Sequence, residues 1–145
     1  GGIRVPALIS WPGNIAMGET REQMAHATDW FPTLTELARV QLPKVKMDGR
    51  SLVEVLGNST AKSPHSVLHW QVGDQWAIRV GHDKLILNPR DTNREKLTGL
   101  DASFLVDLKN DLGEQKNLVA KRPEKLKAMK ALHLTWMAEF DQSNR

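Results

Sequence analysis

Five histidines, one carboxylate-rich stretch and five tryptophans are the side chains of this 145-residue sequence best suited to chemistry. The histidines are His26, His65, His69, His82 and His133. None stands in a His-x-x-x-His or similar spacing, and zinc sites need clustered ligands, so each reads as a surface or satisfied core histidine. Asp107, Asn110, Asp111 and Glu114 gather oxygens. A calcium loop, however, brings about six oxygens together from alternating positions around a central glycine, which this spacing does not do. Asn110-Asp111-Leu112-Gly113 reads instead as a turn, with Gly113 expected to supply the positive φ. No serine lies in Gly-x-Ser-x-Gly, and no glycine-rich phosphate loop occurs. Cysteine is absent, which removes disulfides, thiolate catalysis and cysteine-ligated zinc together. Trp70 and Trp76 suit either a stacking surface for a sugar or the packing of a sheet against a helix. Large aromatics usually anchor cores, so packing is the expectation. Residue types and spacing alone identify no active site.

The elements that would position these groups follow from composition and periodicity. With 40% hydrophobic and 26% charged residues the chain is of globular type, and its length allows one sizeable core. The longest apolar run, Val5 to Trp11, is far short of a membrane span. A net charge of +3, with lysines gathered toward the C-terminus, lacks the dense basic face interleaved with aromatics of a nucleic-acid binder. Ile3 to Trp11 is apolar, rich in β-branched residues, and bounded by Gly-Gly and Pro-Gly. It reads as a strand buried on both faces of a parallel sheet. No second strand of that kind follows, so its edge would be unpaired, which predicts pairing with the smaller sheet or with a second copy as a homodimer. Thr28 or Asp29 is expected to cap a helix with Pro32 in its first turn and Trp30, Leu34, Leu37 and Ala38 on one face, ending near Val40.

Gly57 to Pro64 is small and polar, the boundary expected between residues 1–60 and 65–145. Beyond it the period becomes two. Val67 to Val72, Trp76 to Val80, Lys84 to Leu87 and Phe104 to Leu108 read as strands, with Gly73-Asp74-Gln75 and Gly81-His82-Asp83 as hairpin punctuation. Asn88 to Lys96 is a charged excursion. Pro123 opens a helix with an expected stripe of Leu126, Met129, Leu132, Trp136, Met137 and Phe140. The fold class expected is α+β: a strand and helix belonging to a larger α/β layer, then a four-stranded antiparallel meander covered by a C-terminal helix.

Four separated motifs resemble the C-terminal third of the sulfatases. The first is Gly1-Gly2-Ile3-Arg4-Val5-Pro6 with Trp11-Pro12-Gly13. The second is Asp29-x-x-Pro32-Thr33-Leu34, followed by Leu42-Pro43 and Asp48-Gly49-Arg50-Ser51-Leu52. The third is Arg79-x-Gly81-x-x-Lys84-Leu85. The fourth is Leu105-Val106-Asp107-Leu108-x-Asn110-Asp111-x-Gly113-Glu114-x-x-Asn117-Leu118. Each is weak alone, but in this order they span nearly the whole chain. Leu112 departs from the proline common in the family, and His82-Asp83 replaces the usual Asp-Trp; both lie in turns.

The resemblance implies an alkaline-phosphatase-like α/β parent, with residues 1–60 ending its large domain and residues 65–145 forming the small C-terminal subdomain. It also implies sulfate-ester hydrolysis by a formylglycine, made from the Cys or Ser of a Cys/Ser-x-Pro-Ser-Arg motif, beside a calcium ion. None of those residues has a counterpart here, so the nucleophile, the calcium and the catalytic N-terminal domain are expected upstream, and the chain alone is expected to be inactive. A periplasmic or secreted location is likewise implied. Substrate contacts are expected from His69, Trp70, Asp74 and Gln75 at the rim of the cleft, toward the alcohol of a sulfated sugar or aryl sulfate. A related phosphate or phosphonate ester hydrolase and a free-standing binding module are the alternatives.

Overall fold

The computed structural model describes residues 3–91 and 93–143, with side chains placed up to Glu139. Gly1, Gly2 and the Phe140 side chain, named above, lie outside the described residues. Two compact units meet in the sequence between Ser66 and Val67. No helix among the described residues is long and apolar enough to cross a membrane.

The first unit corrects the expected strand. Ile3 to Trp11 makes no ladder, and its side chains are exposed, Leu8 at 98% and Val5 at 76%. A strand is held by inter-strand hydrogen bonds, and every described strand lies in the second unit. The composition that suits a buried strand is present without the neighbours that would make it one.

Helix formation in this unit also departs from expectation in an instructive way. The chain enters through a 3-10 turn, Ala27–Asp29, capped by His26; Asp29 stands at the expected N-cap position of the helix that follows, but its side chain makes no cap bond there. The His26 side chain accepts from the Thr28 N–H, while the Asp29 carboxylate accepts from the His26 N–H at 2.6 Å. This is a reciprocal capping box. Helix α1, Trp30–Leu37, then buries Pro32 and Thr33 and leaves Leu34 at 59% exposure, so the expected apolar face of Trp30, Leu34, Leu37 and Ala38 is not the buried one. Hydrogen bonding decides this. The fully buried Asp29 carboxylate takes the Arg50 N–H at 2.9 Å and His65 Nε2 at 2.8 and 2.9 Å. Thr33 Oγ1 donates to the Asp29 carbonyl at 2.6 Å and accepts the Leu52 N–H at 2.9 Å. The turn before α2, Val53–Gly57, is thereby fastened to the start of α1. Leu52 and Val55 are buried with it, and Arg21 Nε donates to the Val55 carbonyl.

The second unit matches the expected meander in detail. Strands β1 (Val67–Val72), β2 (Gln75–Val80), β3 (Asp83–Leu87) and β4 (Ser103–Asp107) pair antiparallel in chain order. Two-residue turns close both hairpins, with φ of +60° at Gly73 and +57° at Gly81. Positive φ at the first turn residue alone is the II′ pattern, whose twist suits adjacent strands. Alternation puts His69, Ile78, Leu85 and Leu105 in one row across the sheet. Helix α3, Pro123–Ser143, supplies Met129 to that face, where Ile78, Leu85, Leu87, Leu105 and Val119 form the core.

Two details of this unit correct the sequence reading. Leu132 is 45% exposed, whereas His133 is 1% exposed, so the buried stripe of α3 runs through the imidazole. At 100° per residue, Met129 and His133 share a face that Leu132 misses. In the turn after β4, the positive φ of 55° falls on Glu114 and not on Gly113. The outer edge of β4 is closed by Asn117, whose side-chain oxygen accepts the N–H groups of Leu105 and Val119 while its amide donates to the Ser103 carbonyl.

Gly49 approaches the Thr28 carbonyl so closely that any Cβ would overlap it. Gly49→Ala is therefore expected to destabilise the chain by about 1–3 kcal/mol, the usual range for overpacking. Urea denaturation checks this, and an unchanged midpoint would contradict the packing of this turn.

Candidate functional site

The densest meeting of functional groups lies where β1 and β2 face the middle of α3. His69 stands on the core-facing row of β1, and Trp76 lies two residues before Ile78 on the same face of β2. From α3 come His133 and, three residues on, Trp136. The Trp76 and His133 rings stack at 3.9 Å and 6°, and His69 stacks on Trp136 at 4.7 Å and 3°. The two imidazoles meet edge to edge, Nδ1 to Nδ1, at 3.1 Å. His133 Nε2 is buried without a hydrogen-bond partner among the described residues. Burial, and then the charge of His133, bring the His69 pKa down to about 4, and burial lowers that of His133. Desolvation penalises the imidazolium and leaves the neutral ring in place. The cluster has the chemistry of a packed, neutral contact and supplies no activated nucleophile.

The four residues expected at a substrate rim are divided by this arrangement. His69 belongs to the stacked cluster under α3. Trp70 falls on the other face of the sheet, in the row of Ala77, Ile86 and Phe104, because successive strand residues alternate. Trp76 thus fills the packing role against α3, and Trp70 does not share it. Asp74 and Gln75 do stand together, at the turn and the first position of β2. Asp74 is exposed and pairs with Lys96 and with Arg90 Nη2, the latter at 3.1 Å, while its carbonyl accepts from Asn88 Nδ2 at 2.7 Å. The hydrogen bond from Lys96 leads in holding the Asp74 carboxyl below the usual carboxylate range, with Arg90 adding to it. The excursion from Asn88 to Lys96 is thus tied back to the hairpin tip, bringing Asn88, Arg90 and Lys96 beside Asp74. Opposite charges at Asp74, Arg90 and Lys96 were the available sequence signal, but periodicity does not connect loops sixteen or more residues apart.

The remaining candidates are structural. Asp107 Oδ1 accepts the Lys109 N–H and its Oδ2 the Asn110 amide, while Asp111 accepts the N–H groups of Gln115 and Lys116. Glu114 receives the buried Lys84 ammonium at 2.7 and 2.8 Å. Burial, the largest single influence, pushes the Glu114 carboxyl up, and the hydrogen bond and charge of Lys84 are among the contacts that together bring it below its ordinary value. These oxygens bond turn amides and a lysine, as the turn reading requires, and do not converge on a point. No group of three metal-capable side chains occurs among the described residues. The buried Asp29–His65 pair resembles a catalytic dyad in isolation. The nearby hydroxyl, Thr33 Oγ1, is occupied by the Asp29 carbonyl and the Leu52 N–H, so the contacts of the pair are those of a joint between segments.

Comparison with known proteins covers nearly the same span as the motifs. A family model for the C-terminal region of N-sulphoglucosamine sulphohydrolase matches residues 1–139. Arylsulfatase A of Bos taurus is 36% identical over 97% of this chain, and that of Homo sapiens is 36% identical over 92%. The chain spans 32% and 30% of the lengths of these two relatives. A solved structure of a protein in complex with its substrate D-glucosamine-2-N,6-O-disulfate aligns over 91% of this chain and 28% of that one, with a TM-score of 0.64 and 23% identity. That likeness concerns the fold.

The pairing of Asp74 with Arg90 and Lys96 makes a local prediction. In Asp74→Ala the amides of Asp91 and Leu97, which bond within the excursion, are expected to exchange several times faster. The urea midpoint should hardly move, because exposed ion pairs contribute little to global stability. Unchanged exchange at both amides would show that the loop holds its shape without Asp74.

Proposed function

The chain belongs to the N-sulphoglucosamine sulphohydrolase C-terminal family, and so to the sulfatases, and from that membership we propose that it is the C-terminal part of a longer sulfuric ester hydrolase acting on aryl or sugar sulfates. The observation that carries this reading is a match along residues 1–139 by a chain about a third as long as its arylsulfatase relatives. In this proposal the formylglycine nucleophile and the calcium ion belong to the remainder of the protein. The residues present fit neither group. There is no cysteine and no Ser-x-Pro-Ser-Arg run. The carboxylates of Asp107, Asp111 and Glu114 are engaged as described above.

Two roles fall to this chain. The first is docking. The first unit exposes Val5, Leu8, Met17, Phe31, Leu34, Val40 and Val45 as well as Trp11. That is more apolar surface than an isolated unit has use for, and large exposed patches mark interaction sites. We assign it to the catalytic part of the same enzyme, where Ile3 to Trp11 would gain ladder partners. The second role is at the substrate rim. With His69 stacked beneath α3 and Trp70 half-buried on the other face of the sheet, the rim reading rests chiefly on Asp74 and Gln75 at the hairpin tip, where Arg90 and Lys96 steady Asp74. Such groups suit the hydroxyls of a sulfated sugar, since carboxylate and amide oxygens accept hydrogen bonds.

The test uses the longer enzyme and this chain side by side. Sulfate release is expected from the former and none from the latter; hydrolysis by the 145-residue chain would overturn the division of labour. Within the longer enzyme, Gln75→Ala is expected to lower kcat/KM for a sulfated glucosamine roughly tenfold and that for a small aryl sulfate much less. A lost hydrogen bond to substrate counts only where the substrate reaches it. Equal losses on both would assign Gln75 a structural role.

A further inference from the structure

The His69–His133 contact joins β1 to the middle of α3 through two Nδ1 atoms 3.1 Å apart. At that distance one ring must donate and the other accept, so the rings hold opposite tautomers. If His69 donated, His133 would carry its proton on Nε2, leaving a buried N–H without an acceptor. An orphaned donor is disfavoured more than an orphaned lone pair. The favoured arrangement therefore has His133 Nδ1–H donating to His69 Nδ1, with a bare Nε2 on His133.

This arrangement leaves no good place for another proton. On His69, Nε2 already carries one and Nδ1 is accepting. On His133, the lone pair that remains is buried, and His133 as a whole is 1% exposed. A proton on His69 Nδ1 would confront the His133 N–H and break the hydrogen bond. Among the described residues no carboxylate contacts either imidazole. Within one turn of His133 on α3 the sole ionisable side chain is Lys130, of like charge. On the same face, β1 offers Val67 and Gln71 and β2 offers Trp76, Ile78 and Val80, none of them ionisable.

We propose that His69 and His133 form an acid-sensitive latch: as neutral rings they fasten α3 to the sheet between Trp76 and Trp136, and protonation unfastens it. The sign follows from linkage. Unfolded histidines protonate near 6.5, whereas folded His69 does so only near 4. Between those values the unfolded chain binds more protons, so stability falls as pH falls. The latch contributes fully above about pH 6.5 and has lost its contribution by about pH 4. Its output is the attachment of a helix.

Urea unfolding of the 145-residue chain at pH 7.5 and 4.5, followed by helical circular dichroism, tests this against His69→Gln and His133→Phe. Glutamine keeps a neutral hydrogen-bonding group, and phenylalanine keeps the stack on Trp76. On acidification the unfolding constant of the original chain is expected to rise at least about tenfold more than that of either variant. An equal rise in all three overturns the latch. Should His133→Phe fail to fold, His69→Gln and an NMR titration of the imidazoles in the unaltered chain decide. The His69 resonances are expected to stay nearly unmoved down to pH 5 and those of His133 to titrate below the ordinary imidazole range, and ordinary titration of both near 6.5 would overturn the proposal.

Discussion

A main-chain N–H that leaves water must find an acceptor, and where this chain has no ladder or helix to provide one, a short polar side chain does so. Asp29 accepts for His26 and Arg50, Thr33 for Leu52, Asn117 for Leu105 and Val119, and Asp111 for Gln115 and Lys116. Each is a joint between segments that regular structure does not connect. The pattern gives physical content to the motifs in which these residues occur. In the first unit the consequences reach furthest, because one carboxylate at zero exposure holds the entry to α1, the Gly49-Arg50 turn and His65. Removing it would strand several donors at once. Each buried donor left without an acceptor in this way typically costs about 1–3 kcal/mol.

The second unit solves the same problem with regular structure and spends its side chains on packing. Its core face is aliphatic at Ile78, Leu85 and Leu105, then changes character toward β1, where two imidazoles and two indoles take over. Stacked aromatic rings cover apolar area as well as aliphatic chains do and add favourable offset contacts. What they bring in addition is titratability. A leucine at His133 would fill the space, but only the imidazole makes the attachment of α3 conditional on protonation. On the opposite face the sheet buries Lys84 at 4% exposure against Glu114, a charged pair where the turn following β4 folds back.

The two units differ in how complete they are. The second closes its hairpins, its core and the outer edge of β4 within its own residues. The first satisfies its buried polar groups yet leaves Val5 and Leu8 exposed to water.

What could be read from the sequence was what local rules decide. The hairpins were legible because glycine with positive φ and a two-residue period are properties of neighbouring residues, and the strands fell within a residue of their predicted limits. The run from Ile3 to Trp11 was read as a buried strand, but a strand is a relation between hydrogen-bonded segments, and this run pairs with none among the described residues. The α1 face went astray because a hydrophobic count cannot see that Asp29 and Thr33 would be recruited inward by Arg50 and Leu52, which stand 21 and 19 residues away. The tertiary structure alone placed His69 beside His133, 64 positions apart, and put Trp70 on the face that His69 does not share. Sequence determines which side chains have the chemistry to meet; the sheet register and the phase of α3 decide which of them do, since both are set by packing summed over the whole unit and not by any local signal.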